Sequence, residues 1–87
     1  MKVTKRNGNV VLFDDEKVAR SILRANADTP EEELSEKIAA WIASEAFSRL
    51  TDTNDIISTQ DVRRCVYSLL CEKGLPETAR QYAEYVK

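Results

Sequence analysis

The chain contains no histidine, and only two cysteines, two glycines and two prolines in 87 residues. Without histidine there is no zinc site built from His and Cys, and no Cys-His or Ser-His nucleophilic pair. Cys65 and Cys71 stand in what reads as one helix, about 240° apart around its axis, so they cannot bridge each other without unwinding it. With Gly8 and Gly74 alone, the G-x-x-x-x-G-K-[ST] phosphate loop is missing. No uninterrupted apolar run exceeds the six residues from Ile38 to Ala43, whereas a bilayer span needs about 20. Met1-Lys2-Val3 leads straight into polar residues without a signal-peptide core, so a cytoplasmic location is expected and no membrane role. No spacing marks two carboxylates as an acid/base pair, and no catalysis is expected.

What is present describes a single small domain over residues 1–87, with 43% hydrophobic and 32% charged content and room for one site. Thirteen basic and fifteen acidic residues give a net charge of -2, which argues against coating DNA or an anionic membrane. The charge is unevenly placed. Residues 1–24 hold six bases against three acids, residues 25–61 two bases against nine acids, and residues 62–87 five bases against three acids. Two basic ends that meet in the fold would make a local site for a small anion on a mildly acidic protein.

Residues 2–6 and 10–13 read as short strands, and Asn7-Gly8-Asn9 between them is a strong hairpin signal. A lone hairpin is marginal in water and must lie on something else. That support is helical. Asp14 or Asp15 suits the N-cap of a helix over about 15–25, with Val18, Ile22 and Ala25 at helical spacing and a break at 26–28. Thr29-Pro30 followed by Glu31-Glu32-Glu33 reads as an N-cap, a proline at the first helical position and acids matched to the dipole. These open a long helix over about 30–50, with Leu34, Ile38, Trp41, Ile42 and Leu50 as its buried stripe. Beyond a turn-rich stretch from Thr51 to Asp55, Ile56-Ile57 offers a brief third strand.

Ser58 and Asp61 form a near capping box for a helix over about 59–73. Its apolar face is Val62, Val66, Leu69 and Leu70, and Gly74 is a left-handed stop. Pro76 starts a last helix, about 76–86, whose inner face should hold Ala79, Tyr82, Ala83 and Val86. The expected fold is α+β and mostly helical: a four-helix bundle capped by a β-hairpin, a lid over about 2–13, or by a small three-stranded sheet.

The opening Val3-Thr4-Lys5-Arg6-Asn7-Gly8, then Val11-Leu12-Phe13-Asp14 and Lys17-Val18, resembles the start of the ATP-cone, the regulatory nucleotide-binding domain at the N-terminus of ribonucleotide reductases. Ile57-Ser58-Thr59, Val62, Val66, Leu70, Gly74, Ala79, Tyr82 and Tyr85 match the spacing of that family's closing helices, so the resemblance covers essentially the whole chain. It implies a non-catalytic module that binds ATP or dATP with Mg2+ and sets the activity of a reductase's catalytic domain or subunit. Asn7, Arg63, Arg64 and Val86-Lys87 depart from the family's usual residues. They leave room for a second reading, a degenerate cone that binds proteins without nucleotide. A third is the cone of a reductase-gene repressor, but Cys65 and Cys71 cannot supply the zinc ribbon with which that protein reads DNA. No direct nucleic-acid binding is expected.

On the residues themselves, Lys5 and Arg6 suit either of two roles, as edge-strand charges that discourage aggregation or as a point charge and a fork for a triphosphate. In a strand they point to opposite faces, so one alone aims at a ligand beneath the sheet. Following the resemblance, Lys17 is a phosphate ligand near a helix N-terminus, and Val3 and Val11 are walls for an adenine ring. Asp14 is an N-cap first and a ribose or adenine contact second. Thr59 and Arg63, four apart on one helix face, contact the base and the phosphates. The alternatives are core valines, a capping threonine and solvated Lys17 and Arg63. Trp41, Tyr67, Tyr82 and Tyr85 read as core aromatics.

Overall fold

The computed structural model describes residues 2–52 and 56–85. Seven elements follow in the order β1 (Lys2–Thr4), β2 (Val10–Leu12), α1 (Asp15–Ala27), α2 (Glu36–Thr51), β3 (Ile57–Ser58), α3 (Thr59–Glu72) and α4 (Pro76–Tyr85). The fold is therefore α+β and mostly helical, four helices with a small mixed sheet. Of the turn-rich stretch expected from Thr51 to Asp55, Thr51 ends α2 and Asp52 caps it; residues 53–55 and the inward Val86 lie outside the described residues, as does the side chain of Tyr85.

Each helix packs against two others, α1 and α3 both lying against α2 and α4. Ile22, Ile42, Val66, Leu69 and Leu70 fill the space between them with almost no exposure. The sheet order is β2-β1-β3, with β1 antiparallel to β2 and parallel to β3. Val3 pairs with Val11 on one side and Ile57 on the other, so the inward row of the sheet is apolar. β2 is exposed at all three positions.

The hairpin is shorter than the sequence suggests. Gly8 N–H donates to Lys5 O at 2.9 Å, Lys5 N–H donates to Asn9 O at 2.7 Å, and Gly8 takes φ +90°. This is a turn centred on Arg6 and Asn7, followed by a left-handed glycine. Arg6 thus sits in the turn rather than in a strand, and the strand alternation does not govern where it points. Phe13 likewise leaves β2 and its ring meets that of Phe47, centroids 5.4 Å apart.

The largest departure is the start of α2, which begins at Glu36 under a Ser35 cap rather than at Pro30 under Thr29. Ser35 Oγ accepts from Ile38 N–H at 3.2 Å. Residues 29–35 are instead drawn to α4. Glu32 N–H donates to Thr29 O at 3.0 Å in a turn, and the Glu32 carboxylate accepts from the N–H groups of Glu77 at 3.0 Å and Thr78 at 2.6 Å. The acids that look like the first turn of α2 therefore cap a different helix. Burial pushes the Glu32 carboxyl up, but these hydrogen bonds outweigh it and hold it below the ordinary glutamate range. Beside it, Thr29 Oγ1 donates to Asn26 O at 3.2 Å and lies 2.9 Å from Thr78 Oγ1, which also accepts from Asn26 Nδ2 at 3.0 Å. α1 accordingly runs through Asn26 to Ala27 instead of breaking at 26.

Other expectations stand or fall by face. Asp14 caps α1, its Oδ1 accepting from Lys17 N–H at 3.2 Å. Ser58 and Asp61 form a complete capping box on α3. Gly74, φ +77°, closes α3 with Gly74 N–H on Cys71 O and Leu75 N–H on Leu70 O, the Schellman pattern. Trp41 is 44% exposed rather than part of the buried stripe, with the Lys73 ammonium 4.1 Å from its ring centre. Ile38 and Tyr67 are also exposed. Ala83 faces out, while Tyr82 beside it is buried. Cys65 and Cys71 are both free.

Candidate functional site

Seven of the eight residues singled out from the sequence line one cavity of about 440 Å³: Val3, Lys5, Val11, Asp14, Lys17, Thr59 and Arg63. They come from separate stretches of chain, and the fold explains the convergence. The inward row of the sheet supplies Val3 and Val11. Val3, sandwiched between its two neighbouring strands, is 3% exposed, while Val11 on the edge strand is 37% exposed. The start of α1 contributes Asp14 and Lys17, one turn apart. The first turns of α3 contribute Thr59 and, one turn on, Arg63, both half-buried.

Two helix N-termini thus border the cavity, an arrangement that favours negative charge. Both caps are already occupied, by Asp14 on α1 and by Ser58 with Asp61 on α3. Hydrogen bonds from the Ser58 N–H and hydroxyl hold the Asp61 carboxyl low against the opposing effect of burial, so it stays ionised and committed to the cap. The groups left to meet an anion are the side-chain cations Lys5, Lys17 and Arg63.

Arg6 is the eighth residue, and it lies elsewhere. It lines an adjoining open groove of about 720 Å³ with Gln60, Arg63, Arg64, Tyr67 and Tyr82 among others. Arg63 and Tyr82 border both spaces. Lys5 and Arg6 are therefore neighbours in sequence that serve different hollows.

Sequence reasoning missed Ser21, Phe13 and the double role of Tyr82. Ser21 lies four residues from Lys17 on the same face of α1 and lines the cavity, its Oγ donating to Lys17 O at 3.0 Å; that spacing was the available signal. Tyr82 belongs to the core, as its helical position suggests and its 3% exposure shows, yet it also forms a wall of the cavity. Burial pushes its phenol up to about 12 against the opposing pull of Arg63. It is a neutral hydroxyl at physiological pH, able to donate or accept.

A hairpin laid over a helical bundle, with cations from both converging on a partly apolar hollow, suits a compact anion with an apolar part, bound by side chains instead of a glycine-rich loop. The family model for the ATP cone domain matches residues 1–87, the whole chain. The chain belongs to the ATP-cone family, whose members are generally nucleotide-binding allosteric regulatory modules without catalytic activity of their own. No curated protein matches the chain. Among the described residues no helix is long and apolar enough to cross a membrane.

Proposed function

We propose that the chain is a regulatory unit that binds ATP or dATP in the cavity between the hairpin, α1 and α3, and through it controls the overall activity of a cytoplasmic ribonucleotide reductase. The observation that carries this reading is the convergence of Lys5, Lys17 and Arg63 on a hollow whose walls include Val3 and Val11. The valines offer apolar surface to a base and the cations offer charge to phosphates. In this reading Thr59 meets the base and Asp14 the ribose, both lining the cavity. Magnesium enters with the triphosphate, held by phosphate oxygens and water as that ion usually is. Among the described residues there is no group of three or more His, Cys, Asp or Glu that could cage a metal ion.

A nucleotide can shift its host only by the difference in its affinity for the host's two states. The readout is therefore a change at the surface that docks to the catalytic domain or subunit. The test is a calorimetric and thermal-melt titration of the folded chain with ATP, dATP and GTP. Saturation at 100-fold over Kd adds about 2.7 kcal/mol of stability, and Lys5→Ala and Lys17→Ala each weaken binding by roughly tenfold while leaving the unliganded melt unchanged. No response to either adenine nucleotide in a chain with native helicity overturns the assignment in favour of a module that binds protein alone.

A further inference from the structure

Lys5 lines the cavity, Arg6 lines the groove, and Arg63 lies on the border of both. A single anion that engages all three must pass from one hollow into the other across Arg63. Arg64, which α3 turns toward the groove beside Arg63, then stands on its path. We propose that the terminal phosphates of the bound nucleotide leave the cavity past Arg63 and end in the groove between Arg6 and Arg64, so that Arg64 reads the length of the phosphate chain. The inference rests on the nucleotide reading of the cavity and adds to it a residue and a specificity.

The groove has the chemistry for this role. Among the described residues, three guanidinium groups border it, from Arg6, Arg63 and Arg64, and no carboxylate lines it. Asp61 is itself held by the Ser58 N–H and hydroxyl at 2.9 and 3.0 Å, and the charge of Arg64 also helps to lower its carboxyl. Gln60 and the exposed Tyr67 add neutral hydrogen-bonding groups along the same wall. Planar forks at the open end match phosphate oxygens in pairs, as an ammonium does not. The cavity itself holds Lys5 and Lys17 for the phosphates nearest the sugar. A nucleoside monophosphate would be satisfied inside the cavity, and only a longer chain would gain from the groove.

The experiment is calorimetric titration of the chain with ATP, ADP and AMP. Wild type is compared with Arg64→Ala, with Lys5→Ala as a cavity variant and with Arg20→Ala, which removes an exposed charge of α1 that lines neither hollow. Arg64→Ala is expected to weaken ATP by roughly tenfold, ADP by less, and AMP not at all, whereas Lys5→Ala weakens all three. The salt dependence of ATP binding should also be shallower in Arg64→Ala. An unchanged ratio of ATP to AMP affinity in Arg64→Ala overturns the proposal while the nucleotide site survives. An equal loss in Arg20→Ala overturns it as well, because the effect would then belong to the general field. If wild type binds no adenine nucleotide at all, the reading of the cavity itself falls.

Discussion

The two ends of the bundle are built on opposite principles. At the sheet end, β2 is exposed throughout and pairs with β1 alone, and the cations that line the cavity and groove come from the hairpin and the first turns of α1 and α3. At the other end, about 20 Å away along the 13 residues of α1, Asn26, Thr29, Thr78 and Glu32 form a hydrogen-bonded cluster that ties the α1–α2 loop to the start of α4. Polar groups at that end are spent on one another. At the cavity the caps are likewise occupied, but the cations Lys5, Lys17 and Arg63 are left with capacity for a ligand. Substitutions at the closed end should therefore cost stability and spare ligand affinity, and substitutions at the open end should do the reverse.

The strongest way to break that contrast is Thr78→Val, which keeps the shape and removes a hydroxyl with 0% exposure. The Thr78 hydroxyl accepts from Asn26 Nδ2, lies 2.9 Å from Thr29 Oγ1, and its side chain helps hold the Glu32 carboxyl low. Valine strands partners on both sides. The expected cost is about 2 kcal/mol, a fall in Tm on the order of 10 °C, with ATP affinity per folded molecule unchanged. A calorimetric melt and a titration below the new Tm check both halves. A large loss of affinity would show that the ends are coupled.

Glu32→Gln is a milder probe of the same end. It keeps an acceptor for the N-terminus of α4 but removes the charge that complements the helix dipole, at a cost of about 1 kcal/mol. Because the native carboxyl titrates below its ordinary value, its contribution is fully present above the unfolded glutamate value, roughly 4.3, and is lost as pH falls through the lower folded one. The difference in Tm between wild type and Glu32→Gln should thus be constant from pH 7 to 5 and close in more acidic solution. A difference that does not narrow at all as the solution is acidified below the ordinary glutamate range would assign the effect to shape instead of charge.

The contrast between the ends also explains what the sequence discloses. Asp14, the Ser58–Asp61 box, Gly74 and the apolar faces of α1 and α3 are local signals read within one helix, and they place those elements. Thr29-Pro30-Glu31 is as good a local signal, yet the loop spends Thr29 and Glu32 on α4, some 45 residues away. A cap for a distant helix has no local signature, so the start of α2 was displaced by six residues, from 30 to 36. Trp41 falls on the helical period of the buried residues but is 44% exposed, and periodicity does not say which flank will be covered. At the open end, the resemblance of the hairpin to the ATP-cone start brought Lys5 and Arg6 forward together. Their division between cavity and groove depends on where the turn begins, which the Asn7-Gly8 pair leaves undecided by a residue or two.

The two glycines give the finest test, because each marks one end and both face the same local penalty. Gly8 at φ +90° and Gly74 at φ +77° would each meet no atom within 4 Å if a Cβ were added. Alanine at either position therefore costs only backbone strain, about 1 kcal/mol. Gly74 closes α3 through a Schellman turn whose Leu75 is buried in the core, so Gly74→Ala should lower the global Tm by several degrees. Gly8 shapes a turn joined to an exposed edge strand, which can open without the core opening. In Gly8→Ala the strain should instead raise the population of the locally open hairpin, leaving Tm within about a degree, speeding exchange of the Lys5 amide by roughly fivefold and weakening ATP as Lys5 and Arg6 lose their fixed positions. If Gly8→Ala lowers Tm as much as Gly74→Ala does, the hairpin melts with the bundle, and the open end is as integral to the fold as the closed one.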